Sequence, residues 1–155
     1  YGMEIIGLRY FNIFGPKQNP RGPYAAVIPL FAEAILKNIP PTINGDGSNS
    51  RDFTYVSNAV QANILSLFTD NKEAVNQVYN IACGQQTSLL ELFNGLQKES
   101  GSVLKPIHGP ERIGDVKHSL ADISKAGKFL GYNPVVSVTE GLKKTFSWYK
   151  EHSSK

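Results

Sequence analysis

Sulfur and imidazole are scarce in this chain: its 155 residues include one cysteine, one methionine and three histidines. A lone Cys83 excludes an intramolecular disulfide, and its place in the apolar stretch Val78-Tyr79-Asn80-Ile81-Ala82-Cys83 predicts a buried, inert thiol suited to a reducing, cytoplasmic setting. His108, His118 and His152 are dispersed without ligand-like spacing, so no zinc or iron centre is expected. No apolar run approaches the length that crosses a bilayer, and no basic stretch precedes an apolar one at the N-terminus; a membrane partner is not expected. Charge of one sign is not gathered either. Sixteen Lys plus Arg stand against thirteen Asp plus Glu, a net +3 spread along the chain, which argues against nucleic-acid binding. The familiar catalytic signatures are absent: there is no G-x-G-x-x-G opening a helix, no phosphate loop ending in Gly-Lys-Ser/Thr, no H-E-x-x-H and no G-x-S-x-G.

What remains is an ordinary globular composition, 41% hydrophobic and 19% charged, of a length that predicts one domain. Strand-like and helix-like segments alternate. Met3 to Phe11 reads as a strand, and Ile28 to Lys37 as a helix with Ile28, Phe31, Ile35 and Leu36 on one side. Thr42 to Asn44 is a short extended piece before the turn Gly45-Asp46-Gly47-Ser48, and Asp52 to Val56 alternates as a strand. Ser57 is the expected cap of a helix burying Val60, Ile64 and Leu67 or Phe68, and Val78 to Cys83 is the next strand. Ser88-Leu89-Leu90-Glu91 is a capping box for a helix to about Ser100, which Gly101 is suited to end. Val103 to His108 is expected extended, then a polar loop from Gly109 to Lys117 and a short extended His118 to Ala121. Asp122 caps a helix closed by Gly131, and Thr139 caps a last one with Leu142, Phe146 and Tyr149 as its stripe and Lys143, Lys144 and Lys150 outward. The alternation argues for an α/β class, whether as a free-standing module or as part of something larger.

Polar groups collect where loops follow strands, the usual ligand side of such a scaffold. They occur in Arg9-Tyr10-Phe11-Asn12-Ile13-Phe14-Gly15-Pro16, Ile43-Asn44-Gly45-Asp46-Gly47, Ser50-Arg51-Asp52-Phe53 and Arg112-Ile113-Gly114-Asp115. Two arginines suit a diphosphate, because a planar guanidinium gives paired charge-assisted hydrogen bonds to phosphate oxygens. Taken singly, each group also has an ordinary explanation. Arg51 and Asp52 read as a surface ion pair, Asn44 to Gly47 as a turn, Asn12 as a cap for backbone groups, and Arg112 and Asp115 as a solvated loop.

Their joint order, with Ala25-Ala26-Val27-Ile28-Pro29, Ser50 to Val56 and Gly114-Asp115-Val116-Lys117-His118-Ser119, resembles extended short-chain dehydrogenases/reductases over essentially the whole chain. The similarity is greatest to UDP-N-acetylglucosamine 4-epimerases of the UDP-glucose 4-epimerase family. The resemblance implies that residues 1–155 are the C-terminal substrate-binding part of a Rossmann-like fold, including strands that complete its sheet, with the N-terminal NAD-binding half missing. It implies Phe11 near the nicotinamide of NAD, Asn12 on the diphosphate of a UDP-sugar, and backbone groups from Ala26 and Val27 beside it. Ile43 and Asn44 would line the uracil pocket, Arg51 and Arg112 clamp the diphosphate, Asp115 take the ribose hydroxyls, and Ser119 face the sugar. Thr42 departs from relatives that carry an aromatic side chain there.

Members of that family act through a Tyr-x-x-x-Lys pair, and none is present. Four residues after each tyrosine stand Ile5, Phe14, Ile28, Ala59, Cys83, Val136 and Ser153. No catalytic residue is therefore assigned, and the chain by itself is expected to be inactive. The resemblance further implies a homodimer for the complete protein, an isomerase role in carbohydrate or polysaccharide metabolism, and, on the same scaffold, 4,6-dehydratase, decarboxylase or plain nucleotide-sugar binding as alternatives.

Overall fold

The computed structural model describes residues 1–21 and 26–152, so Ala25 of the block quoted above lies outside it. Among the described residues, eight short strands pair two by two. Strand β1 (Ile6–Tyr10) runs parallel to β6 (Gln77–Ile81), β2 (Ile13–Phe14) parallel to β5 (Thr54–Tyr55), β3 (Thr42–Asn44) parallel to β8 (Ile107–Gly109), and β4 (Ser50–Asp52) antiparallel to β7 (Gln86–Ser88). Between them lie helices α1 (Val27–Leu36), α2 (Val56–Leu67), α3 (Leu89–Ser100), α4 (Ser124–Leu130) and α5 (Val138–His152). The α/β class is borne out.

The change of partner from β1 to β2 happens at Asn12, whose φ of 37° is in the left-handed region that asparagine tolerates better than most side chains. Its amide Nδ2 donates to the Asp52 carbonyl at 2.9 Å, and its own carbonyl accepts from the Thr54 amide at 3.2 Å. The turn is thereby fastened to the β4–β5 corner from both sides.

Two apolar clusters result. The larger gathers Phe14, Phe31, Phe53, Tyr55 and Phe93 with the inner faces of α1, α3 and α5, and edge-to-face ring pairs (Phe14–Tyr55, Phe31–Phe93) organise it. Helix α5 comes so close that a Cβ on Gly141 would stand 2.8 Å from Phe14 Cζ and 2.9 Å from Tyr55 Cδ2, which is why only glycine fits there. The smaller cluster, with Ala62, Tyr79, Ile81, Ala126, Leu130 and Tyr132, fills the space between β1, β6, α2 and α4. Fully buried Asn58 joins α2 to the approach of α5, donating to the Val136 carbonyl at 2.8 Å and accepting from the amides of Val135 and Val136.

Several sequence expectations need correction. The first strand is shorter than Met3 to Phe11, and Asp52 to Val56 is not one strand, because Phe53 separates β4 from β5 and helix α2 already begins at Val56. Ser57 is thus inside the helix; its N-cap is Tyr55, with no side-chain cap bond. Val60, Ile64, Leu67 and Phe68 are not buried but 51–76% exposed, and α2 packs instead through Asn58, Ala59 and Ala62. Val103 to His108 yields only β8, and His118 to Ala121 makes a single bridge, His118 to Ser50. Ser137, not Thr139, caps α5 through its Oγ, which accepts from the Glu140 amide. The capping box of α3 and the left-handed Gly101 and Gly131 after α3 and α4 are as expected.

Candidate functional site

A cleft of about 710 Å³ opens between α1, β3, β4 and the loop after β8. Its floor is apolar, with Ile28, Phe31, Ile43 and Phe53, and its rim carries Asn12, Asn44, Asn49, Arg51, Arg112 and Asp115. Ala26 and Val27 form one wall. Ala26 is the N-cap of α1 with extended backbone and no side-chain cap bond, so the first turn of that helix reaches the cleft without a side chain of its own covering it.

The sequence grouped Arg112 with Asp115, three residues apart; the fold pairs Asp115 with Arg51 instead. Arg51 Nη2 donates to Asp115 Oδ1 at 2.6 Å, while Nη1 donates to the carbonyls of Ser50 (2.8 Å) and Lys117 (3.2 Å). Only a fifth of the Arg51 side chain is exposed. Arg112 stands exposed on the rim. Arg51 and Asp52 are not an ion pair: Asp52 is fully buried, and its carboxylate accepts the amides of Cys83 (2.9 Å), Gly84 (3.0 Å) and Ala121 (3.3 Å). Burial raises its pKa against the lowering effect of those amides. Cys83 is half-buried rather than buried as expected, and desolvation, aided by the nearby Asp52 charge, pushes its thiol up.

Eight of the ten sequence-derived site residues line the cleft together: Asn12, Ala26, Val27, Ile43, Asn44, Arg51, Arg112 and Asp115. Phe11 and Ser119 do not. Phe11 is half-buried at the carboxyl end of β1, its amide donating to Ile81 at 3.0 Å, and Ser119 lies half-buried along β4, its amide donating to Ser50 at 3.1 Å. The sequence reading missed Asn49, whose Nδ2 lies 3.5 Å from Asp115 Oδ2, and the apolar floor residues Phe53 and Leu89. Phe53 stands in the block Ser50 to Phe53 without a role assigned to it, while no local signal marked Asn49 and Leu89, because their neighbours in the cleft come from distant parts of the chain.

The family model described as the NAD dependent epimerase/dehydratase family matches residues 1–82, more than half of the chain. The chain belongs to that family. It is 38% identical over 153 residues to a putative UDP-glucose 4-epimerase of Methanocaldococcus jannaschii, covering 99% of this chain and 48% of that one. Among solved structures, UDP-glucose 4-epimerase of Thermotoga maritima with UDP-glucose is 38% identical at a TM-score of 0.90, covering 97% of this chain and 47% of that one. UDP-N-acetylglucosamine 4-epimerase of Methanobrevibacter ruminantium in complex with UDP-N-acetylmuramic acid is 42% identical at a TM-score of 0.89 with the same coverage. Other relatives include a UDP-N-acetyl-alpha-D-glucosaminuronate decarboxylase and a dTDP-glucose 4,6-dehydratase. The chain therefore has the Rossmann-like α/β fold of this family and spans about half the length of the relatives it matches.

Proposed function

We propose that the cleft binds the nucleoside diphosphate of a UDP-sugar, and that residues 1–155 form the substrate-binding part of an NAD-dependent UDP-hexose or UDP-N-acetylhexosamine 4-epimerase. One observation carries the reading: the uncapped first turn of α1 meets Arg51, Arg112 and Asn12 on a single cleft. Helix N-terminal amides and guanidinium groups both favour phosphate oxygens, and here they converge. Asn12 spends one N–H of its amide on Asp52, leaving the second for the diphosphate. Asp115, acceptor-only when ionised, is suited to ribose hydroxyls, and Ile43 with Asn44 offers an apolar wall beside an amide for uracil. Two relatives of matching fold are described with UDP-sugars, which supports the same ligand class here.

For NAD the fit is partial. Phe11 sits at the carboxyl end of a parallel strand, where open α/β sheets receive their ligands, but these residues include no glycine-rich turn to cradle the pyrophosphate. NAD, when bound, supplies the acceptor and donor of a hydride; this chain's part is to hold the nucleotide while leaving the sugar free to turn. Ser119 is assigned to the sugar side, where a small hydroxymethyl group leaves room for an N-acetyl substituent. In an active enzyme containing this chain, Ser119→Tyr is expected to abolish turnover of acetylated sugars while sparing the smaller ones.

Calorimetric titration of the chain tests the core of the reading. UDP is expected to bind and uridine to bind far more weakly; equal affinity for the two would remove the diphosphate role. With NAD and UDP-sugar the chain alone is expected to show no epimerisation, since no Tyr-x-x-x-Lys pair is present. Release of carbon dioxide or water from a UDP-sugar by an enzyme containing this chain would favour the decarboxylase or dehydratase chemistry of its other relatives.

A further inference from the structure

The segment that carries Asp115 is attached to β4 by few backbone bonds. Ser50 donates its amide to the Lys117 carbonyl at 2.8 Å and accepts at its own carbonyl from the Ser119 amide at 3.1 Å. Two such bonds make a ladder one residue long, and its parallel bridge is Ser50 to His118. A ladder this short specifies its register weakly, and a slip of one residue reverses which side chains face the cleft. Something outside the ladder has to hold it.

All three side chains of the 50–52 stretch do so, Arg51 through its bonds to the Lys117 carbonyl and Asp115. Ser50 Oγ meets His118 Nδ1 at 2.9 Å, and beyond the bridge the Asp52 carboxylate takes the Ala121 amide. The same carboxylate holds the amides of Cys83 and Gly84, so the 117–121 segment is tied to the turn after β6 as well. The Asp52 carbonyl in turn accepts from Asn12 Nδ2. One buried residue thus touches all three segments that bring Asn12, Arg51 and Asp115 to the rim.

We propose that Asp52 is a positioning residue for the nucleotide cleft: it pins the register in which Asp115 faces Arg51 and fixes Asn12 from the other side. This rests on the nucleotide reading above. Asp52 is not among the residues that line the cleft; it acts through Asp115 and Arg51. An apolar residue would take the acceptor from three amides, that of buried Ala121 among them, whereas asparagine keeps the shape and one carbonyl acceptor but turns its NH₂ group toward at least one of the amides that Asp52 satisfies.

The test is a double-mutant cycle on UDP affinity, run in the chain itself with hydrogen exchange as a second readout. Asp52→Asn is expected to weaken UDP binding by about tenfold, the scale of coupling within one hydrogen-bonded network. In an Asp115→Ala background the same change should have little further effect. Exchange protection should fall in residues 115–121 and stay in β1 and β6. An equal loss of affinity in both backgrounds, or none in either, overturns the inference while leaving the nucleotide reading intact, and so does a uniform loss of protection, which would make Asp52 a residue of the fold as a whole. Failure of the unsubstituted chain to bind UDP overturns the nucleotide reading and this inference with it.

Discussion

The cluster around Phe14 and the one around Tyr79 are both apolar inside but differently enclosed. Around Phe14 the chain packs α1, α3 and α5 on one side and β2, β5 and the cleft floor on the other. Around Tyr79 it supplies one side. Helices α2 and α4 cover the face of the β1–β6 pair that carries Tyr79 and Ile81, while Val78, which alternates with them on β6, is 51% exposed. On the outside of α2, Val60, Ile64, Leu67 and Phe68 form an exposed stripe. A parallel pair is ordinarily covered on both faces and flanked by further strands. The first region is self-sufficient as packed, and the second presents apolar surface beyond what scattered exposed hydrophobics account for.

The most forceful way to break this comparison is truncation on each side. Phe14→Ala is expected to destabilise the fold by about 3–5 kcal/mol, as for an aromatic removed from a core that cannot collapse around it. Ile64→Ala, on the exposed stripe, should change stability by no more than about 0.5 kcal/mol. Urea midpoints of the two variants compare them directly; similar losses would mean the stripe is covered after all. The uncovered side also predicts self-association through β1, whose only neighbour among the described residues is β6. A mass that stays monomeric at high concentration would count against it.

Within the cleft, Arg51→Ala and Arg112→Ala should each weaken UDP binding by roughly 1.5–3 kcal/mol, the range for hydrogen bonds to a charged group. The two should separate in stability. Arg51 also ties Ser50, Lys117 and Asp115 together, so its loss should lower the melting midpoint, whereas exposed Arg112 should leave it nearly unchanged. Equal destabilisation by both would place Arg112 in the structural network too.

Gly141→Ala probes the closed cluster from the opposite direction, by adding volume. Its Cβ would press on the rings of Phe14 and Tyr55 at under 3 Å, and overpacking of this kind costs about 1–3 kcal/mol. A neutral effect would show that α5 can shift outward, and that the tightness of the Phe14 cluster is not intrinsic to it.

These contrasts also explain what could be read from the sequence. The ends of α3 were legible because Ser88, Glu91 and Gly101 act on backbone groups within a few residues. The α2 stripe was legible as a stripe, but periodicity gives the apolar face of a helix without saying whether this chain covers it. Eight residues that line the cleft were named through the ordered blocks that resemble a family, not through geometry. The partner of Asp115 was not legible, because Arg112 is its nearest arginine in sequence while the fold brings Arg51 across 64 positions. Asp52 passed for a surface charge for the same reason, its partners lying 31 to 69 residues away.

The smallest expected effect separates two carboxylates by the sign of their pH response. Glu91 accepts from the Ser88 backbone amide and hydroxyl in the capping box of α3, and those bonds hold its carboxyl below the usual range. A depressed folded pKa means stabilisation that is present above the unfolded value of about 4.3 and is lost as pH falls through the folded value. Asp52 is the reverse case. Burial raises its folded pKa, so its contribution is greatest below the ordinary aspartate value of about 3.9 and declines as pH rises through the folded one. Ser88→Ala, which removes the hydroxyl half of the box, should cost about 0.5–2 kcal/mol near neutral pH and less in acid, where Glu91 is protonated. Asp52→Asn should flatten the opposing slope, so that the variant's stability relative to the parent improves as pH rises from about 4 toward neutrality. Urea denaturation of the parent and both variants between about pH 3 and pH 7 measures all of this. Parallel pH profiles for Asp52→Asn and the parent would show that the amides around Asp52 balance its burial, and that its carboxylate is held in the charged form at no net cost.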